Sequence, residues 1–396
     1  MTERRGQERL PREIWVLVAA GFVIALGFGL IAPIIPQYAA SFNVSLALAS
    51  SVVSIFAFSR LAFAPLSGRI VDRFGSRTAY VVGTTLVGVT TGAMAVATQF
   101  WHLLGLRGIA GIGSTMFTVS AMGLIVRLAP SHMRGRASSL YATSFLVGNI
   151  LGPVVGAALT VLGMRLPFLI YGISVLVAAA IVYFLLDAQT IYSAEHTNSA
   201  PPMSFHEAIA HPSFQSNLVS GFANGWSNIG ARVAILPLFA AATFHQGGAV
   251  AGIALATFAG GNATAQLFAG RLSDTVGRKP LILAGLAVNS VFTGALGFSH
   301  APWSLLVLSA LAGFGAGLLN PSQQAVMADI IGRERSAGRI LANFQMSQDL
   351  GAILGPVAIG FLADSYGYPA SFLACGLLTA VALIVWTVRG RETREV

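Results

Sequence analysis

Residues 68–77 read GRIVDRFGSR, and residues 270–279 read GRLSDTVGRK. Each is a charged turn bracketed by glycines and set between long apolar runs, and its recurrence in the second half of the chain governs how everything around it is read. Two further echoes keep nearly the same offset. PIIPQYAASF (33–42) aligns with AILPLFAAAT (234–243), which places Pro36 on Pro237, and ILGPVVG (150–156) falls on ILGPVAI (353–359). One duplication of six helical spans accounts for all three echoes. An even number of spans per copy makes both copies enter the bilayer from the same side, so the repeat is parallel, with a pseudo-two-fold axis along the membrane normal.

Composition supports a chain immersed in lipid: 55% of its 396 residues are apolar and 9% are charged, against about a quarter charged in ordinary soluble domains. Apolar runs long enough to cross about 30 Å of hydrocarbon as helices fall at 14–38, 46–66, 78–98, 102–126, 138–162, 166–186, 215–242, 249–270, 280–298, 303–327, 341–363 and 370–390. The fold class expected is an all-α membrane protein of twelve transmembrane helices in two six-helix bundles, 1–186 and 215–396, joined by a polar linker at 187–214. The first run follows several arginines but lacks a small-residue cleavage site, so it reads as a retained helix.

The net charge of +9 raises nucleic acid as a partner, and the placement of the charge answers it. With the amino terminus in the cytoplasm, only Arg165 of the 23 basic residues lies in an outer loop, and only Arg60, Arg107 and Arg232 lie inside spans; the others gather at the ends and in inner turns. That asymmetry is the positive-inside rule, with both termini cytoplasmic and nucleic acid not a partner. The single cysteine, Cys375, has no intramolecular disulfide partner. In the linker, HEAIAH (206–211) spaces two histidines five apart where a zinc helix needs four, so no metal is expected and a surface amphipathic helix is. GIAGIG (108–113) follows no strand, so it reads as helix packing, and the sole lysine, Lys279, stands in no nucleotide-binding loop. No cofactor is indicated, energy must come from a gradient, and His102, His245 and His300 fall singly near span ends with no nucleophile constellation, so the chain reads as no enzyme.

Gly68 and Gly75, and Gly270 and Gly277, permit sharp turns between spans. Asp72 and Asp274 can each offer a carboxylate to the unpaired N–H groups of a helix amino terminus. In the fifth span Gly148, Gly152 and Gly156 form a stripe beside Pro153, and Gly351, Gly355 and Pro356 repeat it in the eleventh; both read as seams of close helix packing.

These residues resemble the major facilitator superfamily over essentially the whole chain. GRIVDRFGSR and GRLSDTVGRK are similar to its loop signature G-x-x-x-D-R-x-G-R-K and the second-half copy, LRGIAGIGS (106–114) to its fourth-span signature, and GNILGPVVG (148–156) to the fifth-span signature of proton-coupled drug exporters. The resemblance implies that Asp72 meets span 11 and Asp274 meets span 5, and that the turns, with Arg73, Arg77 and Arg278, latch the cytoplasmic side. It also implies that spans 1, 4, 7 and 10 line a central cavity.

An ionisable group at mid-span costs about 2.5 to 3.5 kcal/mol, so each embedded charge is a functional candidate. Arg107 shares a helical face with Ser114 and Thr118; Asn224, Asn228 and Arg232 stack on one face of span 7, and Asn320 and Gln323 flank Pro321 in span 10. All are read as substrate-cavity residues, with inter-helix hydrogen bonding as the other reading for span 7. Asp349 lies roughly 15 Å along its helix from the inner edge, and Arg60 lies at similar depth in span 2, so the two are expected to pair when the cytoplasmic side closes and to couple transport to protons. Drug exporters of the family often carry an acid in span 1, and this chain has none there. The expectation is a monomeric, alternating-access, proton-coupled exporter of lipophilic compounds in the bacterial inner membrane. An importer or facilitator of an organic anion or small metabolite is the alternative.

Overall fold

The structure, a computed structural model, describes residues 10–128, 133–159, 163–186, 204–331 and 338–393. Every regular element among them is helical. Eight helices are long and apolar enough to cross a membrane, so this is an integral membrane protein.

The elements run α1 (Arg12–Ile31), α2 (Ile35–Ala40), α3 (Leu46–Phe74), α4 (Ser76–Met94), α5 (Phe100–Leu128), α6 (Arg134–Leu159) and α7 (Leu166–Leu185) in the first half. The second half holds α8 (Phe205–Ile209), α9 (Pro212–Asn224), a π-helical turn (Gly225–Ala231), α10 (Arg232–Thr243), α11 (Gly247–Val276), α12 (Arg278–Ala295), α13 (Pro302–Ile331) and α14 (Gly338–Val388). The expected spans differ from these helices in places, each for a local reason. Pro33 and Pro36 lack N–H donors, and the first span breaks between α1 and α2 beside them. The seventh is interrupted by the π turn. The eleventh and twelfth run on as α14, with non-helical backbone at Gly367, φ 81 and ψ 172. Threonines in α4 and glycines in α11 dilute their hydropathy, although each is long enough to span.

The charged turns are as tight as the sequence requires. Gly75 alone separates α3 from α4 and Gly277 alone separates α11 from α12, at φ 81 and φ 114. Only glycine adopts such backbone without a side-chain clash. These turns and both described chain ends lie at one end of the molecule, the near end; Ser45, Gly163 and Gly367 lie at the other, the far end.

In the first half α1 packs on α6 and α7, α4 on α5 and α7, and α3 on α5; in the second, α11 and α12 pack on α13, and α14 packs on α9, the π turn and α12. The halves meet through α3 with α14, α6 with α11, and α2 with α10. Their contact is concentrated at the far end. One continuous buried core there includes Ile34, Ile35 and Tyr38 from the first half and Ala234, Ile235 and Leu238 from the second. The near-end clusters of the second half, around Phe214, Met327 and Phe344 and around Leu286 and Trp386, contain second-half residues alone.

Candidate functional site

α5 projects Arg107, Ser114 and Thr118 from one face, and all three line a cavity of about 260 Å3 together with Phe28, Phe56, Arg60, Asn149 and Tyr171. Arg107 is 4% exposed. Its guanidinium carbon stands 4.0 Å from the Phe56 ring centre and 5.6 Å from that of Phe28, so the cation is held by ring faces instead of a carboxylate. Its Nε is buried with no hydrogen-bond partner. Arg60 donates to Ser114 Oγ at 3.5 Å, and Thr115 donates to the Arg60 carbonyl at 3.1 Å.

A second cavity of about 310 Å3 lies between the halves and shares Phe28 and Asn149 with the first. Asn228 and Arg232 enter it from the π turn and the start of α10, facing Phe258 and Asn262 of α11. Arg232 is 2% exposed, lies 4.1 Å from the Phe258 ring centre and donates to Thr293 Oγ1 at 2.8 Å and to Asn228 Oδ1 at 3.4 Å. Its Nε and Nη1 have no partner. Asn228 is held in turn by Asn224 at 2.9 Å and by Asn289, which also donates to the Ala312 carbonyl at 2.8 Å. A π turn widens the helix and re-aims its side chains, a device frequent at functional sites.

The face expected on span 7 therefore divides. Asn228 and Arg232 line the second cavity, whereas Asn224 stands behind Asn228 as its acceptor. Gln323 is fully buried: it donates to Ser220 Oγ at 2.7 Å, while Asn217 donates to its carbonyl at 3.1 Å and Trp386 donates to Ser220 at 3.0 Å. It ties α9 to α13 and is not among the lining residues of these two cavities. Asn320 is half-buried and also lines neither.

Asp349 accepts from Gln345 at 3.1 Å, and no ion pair within 4.0 Å joins it to Arg60 among the described residues. The turn residues hold their own halves together. Arg77 donates to the Tyr183 carbonyl at the end of α7 and lies over that ring. Lys279 donates to the Thr387 and Gly390 carbonyls at 3.2 and 2.7 Å, and Arg278 pairs with Asp329 at 3.2 Å. Arg73 is exposed beside Phe74. A Cβ on Gly68 or Gly270 would meet nothing within 4 Å. The Asp72 and Asp274 side chains lie outside the described residues.

A contact between the halves that the sequence reading missed sits at the far end. Both carboxylate oxygens of Asp364, near the end of the first stretch of α14, accept from the backbone N–H groups of Leu46 and Ala47 at 3.0 Å each. Ser45 Oγ caps the same helix by accepting from the Leu48 N–H at 3.3 Å, and Asp364 takes the two N–H groups before it across the two halves.

The glycine seams have defined partners. A Cβ on Gly152 would stand 2.7 Å from Gly29 Cα, and Gly148 and Gly156 meet Ala25 and Leu30 of α1 equally closely; the Pro153 ring lies against Gly29. Gly351 and Gly355 press on Trp226 in the π turn, and Pro356 lies against Gly230. Each seam belongs to one half and brings its fifth helix onto its first.

The described helices form a membrane protein with buried, partly polar cavities, one of them between the two sequence halves. The model of the Major Facilitator Superfamily matches residues 17–219 and 216–396, and the chain belongs to that family. It is similar to the multi-drug resistance efflux pump PmrA homologue of Lactococcus lactis, 26% identical over 95% of this chain and 94% of that protein. The quinolone resistance protein NorA of Staphylococcus aureus is 24% identical over 95% and 96%, and the multidrug resistance protein MdtG of Salmonella paratyphi A 25% over 95% of each. Among solved structures, a bacterial homologue of the human lysosomal transporter Spinster, inward-facing and unoccupied, matches at a TM-score of 0.81 with 17% identity over 96% of each chain; its occupied form matches at 0.75 with 15% identity over 97% and 98%. Family and fold identify a transporter and not an enzyme.

Proposed function

We propose that the chain is a monomeric, proton-coupled exporter of lipophilic compounds that works by alternating access. Two bundles of six spans each, 1–186 and 215–396, are related by the duplication and joined by the 187–214 linker, with both termini cytoplasmic. The observation that carries the reading is the asymmetry of contact: the halves join at the far end, whereas among the described residues the near-end clusters of the second half hold no first-half residue. With the termini inside, this is an inward-open state, and rocking about the cavities would reverse it. The efflux pumps among its relatives support the outward direction.

Asp349 and Arg60 couple the motion to protons. In the inward-open state they stand apart; as the near end closes, α3 and α14 draw together there and the pair forms. A proton on Asp349 discharges the pair and returns the molecule to this state. Asp72 and Asp274 latch the closed near end against the opposite bundle.

Purified protein in liposomes tests this. An imposed proton gradient should drive a lipophilic dye against its concentration gradient, and dissipating the proton gradient should abolish that movement. A second reading, an importer or facilitator of a small organic anion, draws on the partnerless donors of Arg107 and Arg232. Net uptake of anion down its gradient, indifferent to pH, would favour it.

A further inference from the structure

Three guanidiniums, those of Arg60, Arg107 and Arg232, line the two cavities, and no carboxylate lines either. Arg107 has no hydrogen-bond partner at all among the described residues, and Arg232 leaves two nitrogens without one. A buried, unpartnered donor of this kind costs a substantial part of its desolvation energy, and a cation in lipid costs more. The stacking determines what relieves it. Phe56 stacks on the Arg107 guanidinium with its ring centre at 4.0 Å and Phe28 flanks it at 5.6 Å, while the Nε edge is buried without a hydrogen-bond partner. That edge is the planar fork that binds a carboxylate through two parallel hydrogen bonds. Arg60 approaches the same cavity through Ser114, adding a second positive group.

We infer that the transported compound is an aromatic amphiphile bearing one acidic group, its carboxylate held at the edge of Arg107 beside Arg60. Its ring system lies along Phe28 and Asn149, the two residues common to both cavities, toward Arg232 and Phe258. The inference rests on the transporter reading and adds the chemical class of the cargo. An acid of this kind supplies the negative charge that the cavity walls lack, and its rings replace lipid against phenylalanines. A permanently cationic compound would bring a fourth positive charge among three and be rejected.

The test uses the full chain, purified in detergent, and three probes of one shape: naphthoate, its methyl ester and naphthyltrimethylammonium. Naphthoate is expected to bind about tenfold or more tightly than the ester, a factor equal to about 1.4 kcal/mol, and the ammonium most weakly. Arg107→Gln should remove the preference for acid over ester, and Arg107→Lys should restore part of it. Arg165→Gln, outside the cavities, should change nothing. Equal binding of acid and ester, preference for the ammonium, a preference that survives in Arg107→Gln, or no binding of any probe would each overturn the inference. If Arg107→Gln fails to fold, the acid-to-ester ratio of the parent protein decides alone. Export of the ester in liposomes under a proton gradient is scored separately. Its success beside equal binding sinks only the acid-binding inference, and its failure beside a strong acid preference sinks only the export reading.

Discussion

Arg107 and Asp349, one buried and one half-buried, show how differently two charges can be accommodated. One is a cation pressed against ring faces with its donors free; the other is an anion partly satisfied by a glutamine one turn away. Only the second is a carboxylate, whose charge a proton can remove; an arginine stays protonated. Asp349→Asn should therefore leave binding intact and abolish the dependence of transport on the proton gradient, read as equal dye efflux with and without it. Persistent coupling in that variant would place the proton site elsewhere. Asn289 makes a different prediction. Replacing it by leucine strands the Ala312 carbonyl and Asn228, at a cost of about 1–3 kcal/mol, and the melting temperature should fall. Both arginines and the aspartate were legible in sequence, because an ionisable letter inside an apolar run is conspicuous. Their aromatic partners were not: Phe28, Phe56 and Phe258 look like any lipid-facing phenylalanine until helix rotation is known. The hydrogen bonds of Gln323 to the neighbouring helix were not legible either, because a polar side chain on a span can face a cavity or a neighbouring helix, and spacing alone does not distinguish them.

At the scale of helices, glycine sets how near two axes come. Gly152 against Gly29 leaves no room for a side chain, so Gly152→Leu should separate α6 from α1 and abolish stable expression, as measured by monodisperse yield. The more mobile contact is Asp364 on the amino terminus of α3. Losing such a cap costs about 1 kcal/mol, enough to raise the population open at the far end roughly fivefold. Asp364→Ala should therefore speed alkylation of a cysteine placed at Ala47; an unchanged rate would show that the clamp does not govern opening. The seams and the glycine turns could be read from spacing, since only glycine serves where backbones touch or φ turns positive. The clamp could not, because Asp364 reads as one more loop acid. Nor could the π turn, whose departure from regular winding depends on α14 pressing against Gly225 and Gly230.

For the whole molecule, the sequence echoes at nearly constant offset carried the most information. Gly29 lies against Pro153, and Gly230 lies likewise against Pro356. What the sequence withheld was the conformation, since the same letters serve a molecule open at either end. The central claim is that the halves rock about the cavities, so that one end closes as the other opens. It is tested most directly by electron-spin distance measurements in lipid nanodiscs on protein lacking Cys375, with one label pair at Gly68 and Leu341 of the near end and another at Val96 and Phe298 of the far end. Between acidic and alkaline buffer the near-end distance should shorten as the far-end distance lengthens; distances that move in the same direction, or that stay fixed while transport proceeds, would contradict the account.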